Sequence, residues 1–175
     1  MQSNINVEEE FELLESILGD SWDEMDIKIY QILRDRGRMT DTELAEELGT
    51  SITTARRRRT KLQEKGHLLV IALLVLQEAN LVYTDVLVKI SPQGSVEELN
   101  DFIDEAIENI RVYEVTQYLD NRAVLVRFFE QSLEEINKHI NRFLLDREIV
   151  EDYNILPAAK TPKAWNRVLS DNDHI

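Results

Sequence analysis

The sequence predicts an α+β protein: an N-terminal helix-turn-helix, winged-helix-like domain joined by a β-strand linker to a C-terminal ferredoxin-like βαββαβ domain. Two observations support this fold class. Residues 22–66 show three short helical patterns, the last two separated by a turn that contains Gly49. Residues 81–156 alternate strand and helix patterns in the order βαββαβ.

The composition indicates a folded cytoplasmic protein. Its 175 residues, 43% of them apolar, suffice for one large domain or two small ones. Because the chain has no cysteine, it offers neither disulfides nor thiolate metal ligands, and we expect no cofactor and no metal. The N-terminus lacks the pattern of a secretory signal, and the longest apolar run, Leu68–Leu76, is far shorter than the roughly 20 residues of a membrane helix. No membrane partner is therefore expected.

Residues 1–21 are predicted to be an acidic helical extension. The first 26 residues contain nine acidic side chains and no Lys or Arg. A helix ending at Gly19 would carry one apolar face, made of Val7, Phe11, Leu14 and Leu18. The simpler interpretation is that this face packs on the next domain or on a partner subunit. The alternative is an acidic arm that competes with DNA for a basic helix.

Residues 22–66 are predicted to be a helix-turn-helix domain. The first helix carries an apolar side made of Met25, Ile29, Ile32 and Leu33 and stops at Gly37. In the second helix, Thr40 precedes Glu43 by three residues, which is the spacing of a capping box, and Gly49 ends the helix. The third helix begins with Ser51 as its N-cap and runs to Gly66.

The remaining chain is predicted to hold a linker, the βαββαβ domain and a tail. The apolar run Leu68–Leu76 indicates a buried strand, so residues 67–80 are assigned as a strand linker or hairpin. Residues 81–156 contain two capped helices, with inward stripes of Leu99, Phe102, Ile103, Ala106 and Ile110 in the first and Leu133, Ile136, Ile140, Phe143 and Leu144 in the second. The tail, residues 157–175, either docks through Trp165 and Leu169 or frays.

The third helix carries an unusual positive charge. Residues 51–67 contain six basic side chains and one glutamate, a local charge of +5 in a chain whose net charge is −14. At 100° per residue, Ala55, Arg59 and Leu62 share the inward stripe, so the Arg59 guanidinium should pair with an acidic residue or reach outward to water.

The opposite face of this helix is predicted to contact DNA. Threonines near the start of such a helix can reach base edges, while arginine can pair with guanine and both arginine and lysine can hold phosphates. Arg56 and Arg58 lie on the flanks of this face, where side chains suit phosphates better than bases. The candidate DNA-binding residues are Ser51, Thr53, Thr54, Arg56, Arg57, Arg58, Thr60 and Lys61.

Residues 22–66 resemble the DNA-binding domain of the leucine-responsive/asparagine regulator (Lrp/AsnC) family of bacterial and archaeal transcription factors. The resemblance is carried by "DE-x-D-x-K-I" at 23–29, "GR" at 37–38, "TELAEELG-x-S" at 42–51 and "RR" at 57–58, followed by Leu62 and Gly66. The βαββαβ order of residues 81–156 is similar to the effector-binding and dimerising domain of the same family.

The resemblance implies a transcriptional regulator that reads double-stranded DNA as a homodimer, or as a tetramer or octamer, in the cytoplasm on the nucleoid. It also points to a small-molecule effector site in the turn after the second strand, for which Thr116, Gln117 and Asp120 are the candidates. Gln117 stands where the family usually has glycine, which permits closer approach of a ligand, so we do not expect a standard amino-acid response.

Two other classes of function remain open. A helix-turn-helix that has lost DNA binding could regulate through protein partners, an interpretation that the acidic extension favours and the arginine-rich helix opposes. An enzyme is the second, because decarboxylases on a related fold resemble the regulator family. The three histidines, His67, His139 and His174, lie far apart in sequence, and none sits in a metal or nucleophile motif. We therefore expect no enzymatic activity.

Overall fold

The computed structural model describes residues 7–169, which form two compact units that divide between Leu73 and Leu74. The first unit is all-helical, with α1 (Val7–Leu18), α2 (Glu24–Asp35), α3 (Asp41–Leu48) and α4 (Ile52–Glu64). The second contains a four-stranded antiparallel sheet with two helices and a short C-terminal hairpin.

The helices of the first unit start where the predicted caps stand. Asp23 caps α2, Thr40 forms a complete capping box with Glu43 at the start of α3, and Ser51 caps α4. The helices enclose a small core to which α2, α3, α4 and the residue at the start of the linker all contribute: Ile29, Leu33, Leu44, Ala45, Ala55, Leu62 and Leu68. Three short helices packed against one another therefore form this core without a sheet.

The N-terminal helix α1 lies on α2 through polar as well as apolar contacts. The Glu10 side chain is buried, forms an ion pair with Arg34 and accepts a hydrogen bond of 3.1 Å from Gln31 Nε2. Phe11, Leu14 and Leu18 are partly buried, as the helical pattern predicts, but Val7 is 61% exposed. The predicted inward position of Val7 is therefore wrong, because the buried face of α1 is turned toward Glu10.

The predicted strand in the linker is absent from the structure of the single chain. Residues 68–75 have no regular secondary structure, and residues 76–80 form turns rather than a hairpin loop between two strands. Only Leu68 is buried in the helical core, whereas most of the run is exposed: Leu69, Val70, Ile71, Leu73 and Leu74. An isolated extended segment cannot satisfy its backbone groups as a strand without a neighbour, so an apolar run alone does not make one.

The second unit confirms the βαββαβ order. Its elements are β1 (Val82–Ile90), α5 (Val96–Glu108), β2 (Val112–Gln117), β3 (Ala123–Glu130), α6 (Leu133–Leu144) and β4 (Val150–Pro157). The strands lie in the order β2-β3-β1-β4, and every neighbouring pair is antiparallel. The core lies between one face of the sheet and the two helices, with Val86, Val126 and Phe102 among its fully buried side chains.

Two residues predicted to be inward are exposed. Ile110 is 84% exposed because α5 ends at Glu108, two residues before it. Leu133 is 51% exposed as the first residue of α6. Residues 163–168 form a hairpin of β5 (Lys163–Ala164) and β6 (Arg167–Val168), whose turn exposes 70% of Trp165. Residues 1–6 and 170–175, including His174, lie outside the described residues.

Candidate nucleic-acid interface

The turn between α3 and α4 sets the direction of the arginine-rich helix. Gly49 ends α3 in the left-handed conformation, with φ of +64°, where a side chain would be strained. Two residues later, Ser51 Oγ accepts a hydrogen bond of 3.1 Å from the Thr54 N–H and also contacts Thr54 Oγ1 at 2.9 Å. The Ser51 and Thr54 hydroxyls are thus used to fix the start of α4.

Helix α4 has one buried face and one exposed face, as its periodicity predicts. Ala55 and Leu62 are buried in the core, at 0% and 2% exposure. Four polar side chains of the opposite side are exposed: Thr53, Arg57, Thr60 and Lys61. This unit therefore presents a row of two hydroxyls and two cations to solvent, which is the chemistry that reads base edges and holds phosphates.

Asp41, the first residue of α3, forms ion pairs with two of the four arginines. Its Oδ2 lies 2.8 Å from Arg56 Nε, and its Oδ1 lies 2.8 Å from Arg59 Nη2. Arg59 also donates a hydrogen bond of 3.2 Å to the Met39 carbonyl. The expectation that Arg59 keeps its stem inward and pairs its head with an acidic residue is confirmed.

Two aspartates at the start of α2 hold a third arginine. Arg58 Nη1 lies 3.1 Å from Asp26 Oδ1 and forms a second ion pair with Asp23. Burial of the Asp23 carboxyl raises its pKa, but hydrogen bonds from the Asp26 N–H and from Arg58 outweigh burial and hold that pKa below its usual 3.8. The hydrogen bond to Asp23 is the largest of the effects that raise the pKa of Arg58. Both groups are therefore charged at neutral pH.

Arg57 and Lys61 differ from the other cations of α4. Within residues 7–169, neither side chain makes an ion pair or a hydrogen bond to the protein, so both charges are available to a ligand. Together with Asp23 and Arg58 they line a surface cleft of about 380 Å³. The cleft lies along the flank of α4, beside its exposed face.

The sequence did not reveal which acids pair with which arginines. Asp23, Asp26 and Asp41 lie 15 to 35 residues before their partners, too far apart for any local pattern to join them. One feature of the sequence could have indicated this pairing, namely the position of the three aspartates at the starts of helices. All three occupy the N-cap or first turn of α2 or α3, the two helices that pack around α4 in this fold.

The three effector candidates lie in the β2–β3 hairpin of the second unit. Thr116 and Gln117 end β2, and Gln117 Nε2 donates a hydrogen bond of 2.7 Å to Asn121 Oδ1 across the turn. Asp120 Oδ1 accepts one of 3.1 Å from the Arg122 N–H. The side chains of Gln117 and Asp120 are thus engaged within the turn.

No group of three or more His, Asp or Glu side chains among residues 7–169 is placed to hold a metal ion. Each helix in that range is too short or too polar to span a bilayer.

Comparisons with known proteins agree with the geometry. A family model described as winged helix-turn-helix DNA-binding matches residues 23–66. An uncharacterized HTH-type transcriptional regulator from Pyrococcus horikoshii is 31% identical over 138 residues, which cover 79% of this chain and 87% of the relative.

Solved structures share the fold of both units. A transcriptional regulator from Neisseria meningitidis, solved in complex with L-Met, has a TM-score of 0.71 at 25% identity, covering 82% of this chain and 94% of that one. An AsnC family regulator from Agrobacterium tumefaciens has the same fold, with a TM-score of 0.71 at 23% identity over 85% and 97% of the two chains. The chain belongs to the Lrp/AsnC family of helix-turn-helix transcriptional regulators, and it is a DNA-binding protein.

Proposed function

We propose that this regulator binds specific DNA sequences as a homodimer or larger oligomer, with residues 51–65 of each subunit in a major groove. The observation that carries the proposal is the exposed face of α4, where two threonines and two cations have no partner in the described chain. An α-helix fits the major groove, and two such helices related by a two-fold axis would enter successive grooves about 34 Å apart.

The candidate DNA-binding residues fall into two groups. Some have side chains without a partner in the described chain, and the others are engaged in a helix cap or an ion pair. Thr53, Thr60 and Arg57 are proposed to contact bases, and Lys61 a phosphate. Ser51 and Thr54 hold the start of α4, because the Thr54 N–H donates to Ser51 Oγ and the two hydroxyls contact each other. The other N–H groups of the first turn, those of Ile52 and Thr53, can then face a phosphate. Arg56 and Arg58 are paired with acids, and these carboxylates compete with phosphates for the two guanidinium groups.

Oligomerisation is supported by apolar surface that a single chain leaves open. In the second unit both helices cover the same face of the sheet, and side chains of the other face are exposed: Leu87, Tyr113 and Leu156, at 38%, 41% and 49%. The linker exposes Leu69, Ile71 and Leu74 in addition. Apolar patches of this kind mark surfaces that another subunit covers.

The β2–β3 hairpin, with Thr116, Gln117 and Asp120, is proposed as the place of a small-molecule effector other than a free amino acid. The Neisseria meningitidis relative was solved with L-Met. In this chain, however, the Gln117 side chain spans the turn to Asn121, which argues against the usual amino-acid response. Calorimetry with a panel of amino acids, L-Met included, should show no micromolar binding; binding that Asp120→Ala removes would contradict this.

The proposed function is tested by a gel shift on the DNA upstream of the protein's own coding sequence. Arg57→Ala and Lys61→Ala should each weaken binding, while Lys138→Ala, which removes the same charge from α6 of the other unit, should not. Equal binding by all four proteins would argue against α4 as the contact. No binding by the wild type at low salt would favour regulation through protein partners. As a DNA-binding regulator, the protein is proposed to act in the cytoplasm, on the nucleoid.

A further inference from the structure

The cleft beside α4 combines three cations with one carboxylate. Arg57, Arg58 and Lys61 line it from α4, and Asp23 lines it from the start of α2. Three converging cations on the flank of a DNA-reading helix are suited to a phosphate group, because a phosphate accepts several charge-assisted hydrogen bonds at once. In the free protein, the Asp23 carboxylate takes this position against Arg58.

The two acids that hold Arg58 differ in exposure. The Asp26 side chain is 3% exposed and pairs with the Arg58 guanidinium from the interior of the unit. The Asp23 side chain is 50% exposed and pairs with the same guanidinium from the solvent side. Arg58 is itself 25% exposed. Asp26 therefore suffices to anchor the arginine, and a ligand approaching from solvent could replace only Asp23.

We infer that Asp23 is an intramolecular competitor for DNA: its carboxylate occupies the place of a backbone phosphate in the cleft and weakens binding to DNA of any sequence. The inference rests on the proposed binding of DNA by α4. To seat a phosphate against Arg58, the duplex must displace Asp23 or tolerate a negative charge beside its own.

This competition raises specificity. Nonspecific binding depends on contacts to phosphates, which are the same for every sequence. A carboxylate that opposes one of these contacts therefore acts on the whole of the nonspecific affinity. Operator binding is lowered less, since the base contacts proposed for Thr53 and Thr60 also position the duplex and come from side chains that do not line the cleft. Asp23 thus increases the ratio of operator to nonspecific affinity, which is the quantity that matters on a chromosome.

The test is Asp23→Asn in the full-length protein. Asparagine removes the charge but remains a good N-cap for α2, and Asp23→Ser provides a second uncharged cap. Asp20→Asn is the matched control, because it changes the net charge equally from a position outside the cleft. Affinities are measured by fluorescence anisotropy, from low to moderate salt, on a random-sequence duplex and on a duplex that the wild type selects from a random library.

Asp23→Asn should bind the random duplex roughly fivefold more tightly than the wild type, and its log–log salt dependence should steepen by about 0.9 per subunit, as expected for one added phosphate contact. The selected duplex should gain less. Asp20→Asn should leave both unchanged. Thermal unfolding of each variant verifies that the fold is retained.

The inference is overturned if both uncharged variants, folded, bind the random duplex no more tightly than Asp20→Asn does. Failure of the proposed function has a different signature. In that case the wild type binds neither duplex at low salt, or Arg57→Ala binds as well as the wild type.

Discussion

At the scale of single residues, two neighbouring arginines of α4, Arg57 and Arg59, lie on opposite faces of the helix and have different roles. Arg59 lies between Asp41 and the Met39 carbonyl, whereas Arg57, two positions earlier, has no ion pair among the described residues. The helical periodicity predicted this division, because it placed Arg59 on the inward stripe and Arg57 on the outward face. The partner of Arg59 followed only from the structure, since Asp41 is brought to it by the packing of α3 on α4.

Arg59→Met should therefore lower the stability of the protein, whereas Arg57→Met should lower its affinity for DNA. Methionine keeps the apolar stem of arginine, so Arg59→Met tests the loss of the charged head alone, which leaves Asp41 Oδ1 without its ion-pair partner. Because Arg59 is about a quarter exposed and Arg56 still pairs with Asp41, we expect a loss of about 1 kcal/mol in unfolding free energy. Arg57→Met should change stability by less than about 0.5 kcal/mol, as is usual at exposed sites.

The measurement is urea unfolding combined with DNA titration of the same two proteins. Arg57→Met should lose DNA affinity and keep its stability, whereas Arg59→Met should lose stability and keep most of its affinity. If Arg59→Met lost affinity as strongly as Arg57→Met, Arg59 would have to leave Asp41 and contact DNA.

At the scale of elements, the helix starts and the βαββαβ order along the chain could be predicted from sequence, and the structure of the linker could not. Thr40–Glu43 and Ser95–Glu98 have the capping-box spacing, and both boxes are complete in the structure. The residues of such a signal lie within four positions of one another, so the signal does not depend on which distant residues pack nearby. The apolar run Leu68–Leu76 predicted a buried strand wrongly, because burial depends on a neighbour and the single chain provides none for most of the run.

The exposed face of the sheet gives a prediction about assembly. Leu87→Glu introduces a charge at the centre of this face, on β1, between β3 and β4. If a second subunit covers the face, the buried carboxylate would be costly and the dimer should dissociate. Val96→Glu is the matched control, because Val96 is 71% exposed at the start of α5, on the covered side of the sheet.

Sedimentation at micromolar concentration should show the wild type and Val96→Glu as dimers or larger species, and Leu87→Glu as a smaller one. A wild type that sediments as a monomer would refute the proposed assembly. A Leu87→Glu protein that sediments like the wild type would instead place the interface away from this face.

At the scale of the whole molecule, the charge distribution limits how DNA can be bound. The net charge is −14, while residues 51–67 carry +5, so most of the surface repels a duplex and the region of α4 attracts it. This asymmetry is a count of charges and is read directly from the sequence. The sequence could not predict how many of the six basic side chains are free, because that number depends on pairing between distant residues.

The salt dependence of binding measures that number. Six basic side chains in each of two subunits, all neutralising phosphates, would give a slope of about −11 in log K against log salt concentration. In the structure Arg56, Arg58 and Arg59 are paired with aspartates. Only Arg57, Lys61 and Lys65 then remain in each subunit, and the expected slope for a dimer is about −5.

The slope is read from binding of a duplex at a series of monovalent salt concentrations, with Lys61→Ala as an internal calibration. Removing one free cation per subunit should make the slope shallower by about 2 for a dimer. A wild-type slope near −11 would show that DNA breaks the internal ion pairs and recruits the whole arginine cluster. A slope near −5 would mean that the aspartates of α2 and α3 keep their arginines when DNA is bound, and that base contacts must supply the remaining affinity.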